Sequence, residues 1–405
     1  MRMIFATVLL FSTLGLMASE KHSIEGVNVN SQIVTANNQF GFELLSQLHL
    51  QEQTENIFIS PLSVAFALAM TYNGAGGETA QAMARTLKFK GMGLEEINQA
   101  SADLIKTLNS ADPKVTLAIA NSLWARNGVK FKEDFLARNR DYFGAEIAAL
   151  NFADPAAKVT INNWVSKSTR GKIPSIIEQI DDDLVLLLIN AIYFKGQWSK
   201  RFEEKLTKTQ PFYLLSGSQK PTPMMSQSGD FLYYRGDKFQ AVRLPYGKGD
   251  TGLYLFLPDK ESSLKQLLKN FTFDNCEQWM RGFSEAPGDV KIPRFKLGYE
   301  KNLNDTLKAM GMEVAFDRGR ADFSGMRNPS DGRRLFISQV KHKAVVEVNE
   351  EGTEAAASTS VGVSITSMRP PQPRFNFVAD RPFLMAIRDQ KTGAILFTGA
   401  VVDPK

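Results

Sequence analysis

The chain has 405 residues, of which 43% are hydrophobic and 22% charged, a composition typical of a folded protein and too apolar for an intrinsically disordered one. Its 48 lysines and arginines and 43 aspartates and glutamates give a net charge of +5 that is spread along the chain, so we expect no nucleic-acid partner. One cysteine and three histidines exclude a disulfide framework and leave too few ligands for a zinc or histidine-bound metal site.

Residues 1–19 have the layout of a secretory signal peptide. Arg2 supplies the positive charge, residues 3–11 form an apolar run, and small residues stand at Ala18 and Ser19. A buried N-terminal helix is the alternative interpretation. The run is too short for a membrane span, and no later stretch reaches about 18 uninterrupted apolar residues. We therefore expect a secreted or extracytoplasmic protein with a mature domain over residues 20–405 and no membrane span.

The first half of the chain carries apolar residues at three- and four-residue spacing, which predicts helices. The second of these has a clear start, because Ser60 is a suitable N-cap and Pro61 fits the first helical position. It is apolar almost all round, which indicates a buried helix. The predicted helices cover roughly residues 33–50, 61–72, 78–83 and beyond, 94–108, 132–143 and 157–167.

Runs of β-branched and aromatic residues predict strands in the second half. Helices come first and strands later, without alternation of the two, which indicates an α+β fold. Residues 247–252 match the pattern GxGxxG, but a strand follows where a nucleotide site needs a helix, so we interpret them as a hairpin turn. The predicted strands cover residues 184–194, 239–244, 253–257, 290–295, 335–348 and 395–402.

The sequence contains little that an enzyme would need. There is no GxSxG nucleophile elbow. His22 lies beside the expected cleavage site and His49 lies on a polar helix end, which leaves His342 as the one candidate for a buried or functional imidazole. Because no acid or nucleophile partner for His342 can be identified, we interpret it as a buried structural histidine. A secreted hydrolase remains an alternative, but we expect no catalytic residue, cofactor or metal.

Residues 350–374 behave neither like a core element nor like an ordinary loop. Every second residue from 353 to 365 is threonine, alanine, valine or isoleucine, and the residues between them are small or polar, which is the pattern of a strand with one buried face. Yet the side chains are small for a permanent strand, and a proline-rich stretch at 368–374 cannot continue a sheet. Two interpretations follow: a flexible loop, or a segment that is a loop in one state and an inserted strand in another.

Several motifs, in the correct order, resemble the serpin family, and the resemblance runs from about residue 33 to residue 404. It implies a single large α+β domain, with helices around a large central mixed β-sheet, additional smaller sheets and an exposed reactive-centre loop at about 350–374. The motifs are residues 56–63 (the start of helix B), 161–165 with 169–173 (helix F and the following turn), 188–198 (strand 3 of the main sheet), 350–358 (the hinge), and 377–384 with 395–404 (the C-terminal strands).

The resemblance implies an inhibitor that a serine protease cleaves as if it were a substrate, after which the loop inserts into the main sheet and traps the covalent acyl-enzyme. It places the reactive bond at Thr366–Ser367, with Ile365 and Met368 as neighbouring candidates. A small or medium-sized acyl-side residue favours an elastase-, subtilisin- or chymotrypsin-like target. By the same resemblance the hinge is Glu350, Gly352, Thr353, Glu354, Ala355, Ala356, Ala357, Ser358 and Thr359, the shutter is Ser60, Ser63, Asn190 and His342, and the breach contains Trp198.

The hinge favours inhibition over the alternative, a non-inhibitory serpin-fold binding or carrier protein. A charged or bulky inward residue at Thr353, Ala355 or Ala357 would favour the carrier, and these residues are small and uncharged. Residues 94–108, where heparin-activated members have a basic helix, are mainly acidic among their charged residues, with Lys106 as the exception, so we expect no polyanion cofactor. We expect a monomer.

Overall fold

The structure is a computed structural model and describes residues 29–110, 112–181, 183–327, 334–353 and 373–405. The helices are α1 (Ser31–Gln51), α2 (Pro61–Tyr72), α3 (Gly77–Thr86), α4 (Leu94–Ser110), α5 (Glu133–Phe143), α6 (Pro155–Ser168), α7 (Leu264–Asn270), α8 (Phe273–Arg281), α9 (Asn304–Leu307) and α10 (Glu313–Phe316), with a 3-10 turn at Glu204–Leu206 and a π-helical turn at Lys308–Met312.

The strands fall into two sheets. They are β1 (Ile57–Ile59), β2 (Val115–Arg126), β3 (Glu146–Leu150), β4 (Leu186–Gln197), β5 (Lys208–Tyr213), β6 (Gln219–Gly236), β7 (Phe239–Tyr246), β8 (Thr251–Pro258), β9 (Ser284–Pro293), β10 (Phe295–Asn302), β11 (Ile337–Val348), β12 (Gly352–Thr353), β13 (Phe375–Val378), β14 (Phe383–Asp389) and β15 (Ile395–Val401).

The helices predicted from apolar spacing are confirmed, and α2 shows why the local signal was strong. The Ser60 hydroxyl accepts a hydrogen bond from the Ser63 amide at 3.3 Å, and Pro61 occupies the first helical position, where its missing N–H costs nothing. All but the last residue of α2 are buried. The helix therefore lies in the centre of the domain, and its N-terminus reaches the candidate site described below.

The described residues contribute six strands to the main sheet, in the order β10-β11-β4-β2-β3 with the short β12 beside β4. Its two central strands, β11 and β4, run parallel, while β10 and β2 pair antiparallel on either side of them. One face of β4 packs into the large hydrophobic core and the other packs beneath α6, through Ile161 and Val165. Burial on both faces explains why β4 is apolar almost throughout.

The second sheet contains nine strands in the order β1-β15-β14-β8-β7-β6-β9-β13, with β5 beside β6. The turn interpretation of residues 247–252 is confirmed, because β7 and β8 form an antiparallel hairpin with Tyr246 opposite Thr251. Gly247 and Gly249 in this turn have φ values of +52° and +99°, which glycine adopts without strain. No helix in the described part of the chain is long and apolar enough to cross a membrane.

Two details of the predicted order of elements are wrong. Residues 290–295 are not one strand, because β9 ends at Pro293 and β10 begins at Phe295 in the other sheet. Between them the Arg294 amide donates to the Pro223 carbonyl at 2.8 Å, so the chain changes sheets at this residue. The helical half also contains a long strand, β2. The alternation of apolar and polar residues along β2 is weak, because apolar side chains occur on both faces of a central strand.

Candidate functional site

Three polar side chains lie at one level across the centre of the main sheet. Asn190 of β4 is directly opposite His342 of β11 and directly opposite Asn121 of β2. The N-terminus of α2 approaches the same level and contributes Ser60 and Ser63. These five residues are called the polar cluster, and it spans the seam, the line where β11 and β4 pair.

Hydrogen bonds connect the polar cluster into one network. Asn190 donates from Nδ2 to the Ser63 hydroxyl and to Asn121 Oδ1, at 2.5 Å each, and its Oδ1 lies 2.6 Å from His342 Nδ1. The Ser60 amide donates to His342 Nε2 at 3.4 Å. Since a backbone amide can only donate, Nε2 must be the acceptor, and Nδ1 carries the proton that it donates to Asn190.

The structure therefore brings together all four residues that the family resemblance assigns to the shutter. Ser60, Ser63, Asn190 and His342 are each 0% exposed, and the interpretation of His342 as a buried, hydrogen-bonded histidine is confirmed. Asn121 was missed, because recognising it required β2 to be predicted as a neighbour of β4. A cluster of this kind is stable only when every member has its partner.

Acid is expected to weaken the polar cluster through His342. Burial lowers the pKa of this imidazole from 6.5 to about 3. Between these values the unfolded chain binds a proton that the folded chain does not, so the free energy of unfolding decreases as the pH falls below 6.5, by up to about 1.4 kcal/mol per pH unit. Urea unfolding at pH 7.0, 6.0 and 5.0 measures the slope. The same series on His342→Gln should be flatter, and equal slopes would contradict the assignment.

Trp198 lies just beyond the end of β4 and joins the top of the main sheet to the chain that follows β11. Its indole N–H donates to the Asn349 carbonyl at 2.8 Å, and its backbone amide donates to the Glu351 carbonyl at 3.0 Å. The ring stacks on Tyr246, with centroids 4.4 Å apart. Trp198, the residue predicted for the breach, therefore holds the chain at Asn349 and Glu351 against the second sheet.

Glu350 is buried at this position, although it is charged. Its carboxylate accepts hydrogen bonds from the Thr207 hydroxyl at 2.8 Å and from Arg294 at 3.4 Å, and its carbonyl accepts from the Phe202 amide at 2.9 Å. The Arg294 side chain remains half exposed. These contacts anchor Glu350, the first residue of the predicted hinge, and fix where the chain leaves the sheet.

The chain then turns back toward the seam. The β11–β4 pairing ends at Val345 opposite Tyr193, although both strands continue, and β12 takes the free edge of β4 with Gly352 opposite Gln197 in antiparallel register. Gly352 has a φ of +145°, and a Cβ there would lie 2.1 Å from the Gly196 carbonyl oxygen, so only glycine fits. The two strands are therefore not paired with each other at the top of the seam, where Gly352 and Thr353 pair with β4 instead.

The rest of the loop lies outside the described residues. After it, the chain is held again where Phe375 stacks on Tyr233 with ring centroids 4.1 Å apart and Arg374 pairs with Asp289 at 3.1 Å. The predicted hinge and reactive-bond residues outside the described ranges are Glu354, Ala355, Ala356, Ala357, Ser358, Thr359, Ile365, Thr366, Ser367 and Met368.

The family model described as Serpin (serine protease inhibitor) matches residues 35–404. The chain belongs to the serpin family. It is 36% identical over 385 residues to the leukocyte elastase inhibitor of Equus caballus, covering 92% of this chain and 100% of that protein. It is 34% identical over 420 residues to human plasminogen activator inhibitor 2, covering 92% of this chain and 99% of that protein.

Solved structures agree with this family assignment. The thermophilic serpin tengpin in its native state superposes with a TM-score of 0.86 at 31% identity, covering 95% of this chain and 96% of tengpin. Human thyroxine-binding globulin superposes with a TM-score of 0.85 at 28% identity, covering 93% of this chain and 99% of the globulin. The predicted α+β serpin fold is confirmed, and this serpin belongs to a family of protease inhibitors rather than of catalytic enzymes.

Proposed function

We propose that this serpin inhibits a serine protease as a suicide substrate, by inserting its cleaved reactive loop between β11 and β4. The observation that carries the proposal is β12, because the chain after β11 already runs antiparallel along β4 at the open end of the seam. Insertion would extend this pairing down the seam. The loop would then gain backbone hydrogen bonds on both sides, which is the driving force of strand addition.

Extending the β12 register shows where each hinge residue would arrive. Thr353 is opposite Gly196. Because the pair is antiparallel, each step forward along the loop corresponds to one step backward along β4. Phe194 and Ile192 belong to the large hydrophobic core, so the small, uncharged alternate set of the loop would face that core. The expected pairs are Ala355 with Phe194, Ala357 with Ile192 and Thr359 with Asn190.

The arrival of Thr359 at Asn190 gives the polar cluster a second role. Separating β11 from β4 breaks the His342–Asn190 hydrogen bond and leaves two buried polar groups without partners. The Thr359 hydroxyl can donate and accept, so it is able to bond both residues once the strand is in place. The polar cluster would therefore resist opening before cleavage and accept the inserted strand afterwards.

The chemistry belongs to the target protease. Its serine oxygen would attack the carbonyl carbon of Thr366, the bond to the Ser367 nitrogen would break, and the new amine would take the proton that the protease base received from the serine. The ester that remains is the trapped acyl-enzyme. The leukocyte elastase inhibitors among the relatives support an elastase-like target, and subtilisin- and chymotrypsin-like proteases fit the same small acyl-side residue.

The direct test mixes the mature chain with elastase-, subtilisin-, chymotrypsin- and trypsin-like proteases. We expect a complex that survives a denaturing gel and a released peptide whose mass corresponds to residues 367–405. Thr366→Arg should slow inhibition of the best target by about tenfold or more and create inhibition of a trypsin-like protease, since this residue fills the primary specificity pocket. Thr209→Arg, on the exposed face of β5, is the control. Unchanged rates for Thr366→Arg would exclude this reactive bond.

A carrier function is the alternative, and the similarity to thyroxine-binding globulin favours it. The same experiment distinguishes the two functions. Clean cleavage by every protease, with each protease left active, would support a non-inhibitory binding protein.

We also propose that the mature protein begins at Glu20 and functions outside the cytoplasm. The support is the charged, apolar and small-residue order of residues 1–19, which lie outside the described residues. The intact mass of the exported protein checks the cleavage position, and a mass that includes residues 1–19 would contradict it.

A further inference from the structure

A groove of about 630 Å³ runs between the second half of α1 and the helix α7. Its volume lies within the range of about 300–1,000 Å³ that is usual for small-molecule sites. It shares no residue with the hinge or the polar cluster and has no part in the inhibitory mechanism proposed above. Leu50 and Leu268 supply apolar surface to the groove, and its titratable residues are His49, Glu261, Lys265 and Lys269.

One wall of the groove is a face of α1 together with the turn that follows it. Ser46, His49 and Leu50 form a stripe on the helix, because residues three and four apart are neighbours there, and Gln53 follows in the turn after the helix ends at Gln51. Leu50 in this stripe is 62% exposed. A single exposed leucine is ordinary, but this one faces a concave surface that also contains the apolar side chain of Leu268.

The opposite wall carries two positive charges. Lys265 and Lys269 are four residues apart on α7, so both side chains project from the same face of that helix. Neither lysine forms an ion pair with a described residue. Burial and the neighbouring Lys265 lower the pKa of His49, which favours the neutral imidazole. Glu261 is the single acid among the groove residues, which leaves the groove with a net positive charge.

We propose that this groove binds an anionic amphiphile, with its carboxylate at Lys265 and Lys269 and its alkyl chain over Leu50 and Leu268. The pairing of an apolar surface with two cations on one side matches the chemistry of an alkyl carboxylate. Such a ligand would bury the exposed leucine and neutralise two unpaired charges together. The proposal is independent of protease inhibition, since the polar cluster, Trp198 and the hinge share no residue with the groove.

Isothermal titration of the mature chain with dodecanoate, below its critical micelle concentration, tests the proposal. We expect one dodecanoate bound per chain. Leu50→Glu and the double variant Lys265→Glu with Lys269→Glu should each weaken binding by about tenfold or more, because one removes apolar contact and the other repels the carboxylate. Dodecyltrimethylammonium, which has the same chain and the opposite charge, should bind the wild-type groove at least about tenfold more weakly.

Matched controls use the hairpin that begins with β5 and the 3-10 turn before it. Leu215→Glu replaces a leucine that is 49% exposed in the hairpin, and Lys205→Glu reverses a lysine in the turn whose side chain is 79% exposed. Both controls should bind dodecanoate as the wild type does, and every variant should keep the wild-type unfolding temperature. Absence of dodecanoate binding, equal binding to the groove variants and controls, or equal affinity for the two headgroups would each overturn the proposal. Protease inhibition measured on the same variants should not change.

Discussion

Ala357→Arg is expected to convert the protein from an inhibitor into a substrate. The register set by Thr353 opposite Gly196 carries residue 357 to Ile192, which is 0% exposed and lies in the hydrophobic core. Insertion would therefore bury an unpaired guanidinium there, at a cost of several kcal/mol. Cleavage by the target protease should continue, but the acyl-enzyme should hydrolyse before the loop is inserted. The yield of denaturant-stable complex should fall by about tenfold or more.

Glu354→Arg is the matched control for this variant. It also places arginine in the hinge, but residue 354 alternates with the inward set and would lie opposite Lys195, which is only partly buried. Complex formation should be largely retained. Equal loss of complex in both variants would indicate a general effect of a positive charge in the loop, and an unchanged yield for Ala357→Arg would contradict the insertion register.

Local signals were sufficient for the helices and for the hairpin turn. Ser60 and Pro61 define the start of α2 within a few residues of sequence, because capping and the missing proline N–H act locally. The turn at residues 247–252 could likewise be predicted, since glycine between two apolar runs is a short-range signal of a hairpin turn. In both cases the residues that determine the structure are neighbours in the chain.

The sheet to which each strand belongs could not be predicted from local signals. Residues 290–295 carry no signal that the chain leaves one sheet at Pro293 and enters the other at Phe295, because this change depends on distant partners such as Pro223. β2 was missed for a related reason, and Asn121 was missed with it. The remaining members of the polar cluster were assigned through the family resemblance rather than through periodicity. Only His342 was separately interpreted, by elimination, as a structural histidine.

The residue at which the inserted strand would begin could also not be predicted from the sequence alone. Alternation in residues 353–365 predicts a strand that can be buried on one face, but it does not say where that strand begins. The structure supplies this through Gly352, whose φ of +145° and close approach to Gly196 bring the chain back along β4. The glycine thus sets the register on which the hinge prediction above depends.

Asn190→Ala is expected to lower both the stability and the lifetime of the active protein. Asn190 bonds His342, Ser63 and Asn121, and its removal leaves their buried polar atoms without these partners. The expected cost is about 2–4 kcal/mol in the free energy of unfolding. Because the His342–Asn190 hydrogen bond crosses the seam, β11 and β4 should also separate more readily. The rate at which inhibitory activity is lost on warming should rise by about tenfold or more.

Asn98→Ala separates these two effects. Asn98 of α4 is also fully buried and exchanges two hydrogen bonds with Asn73, at 2.8 and 3.0 Å, in a network that does not touch the seam. It should therefore lower the unfolding temperature comparably without a comparable acceleration of activity loss. If both variants lose activity equally fast for the same loss of stability, the polar cluster is an ordinary part of the core. A faster loss in Asn190→Ala alone would show that the seam is held closed by this cluster, because the two variants differ in position and not in chemistry.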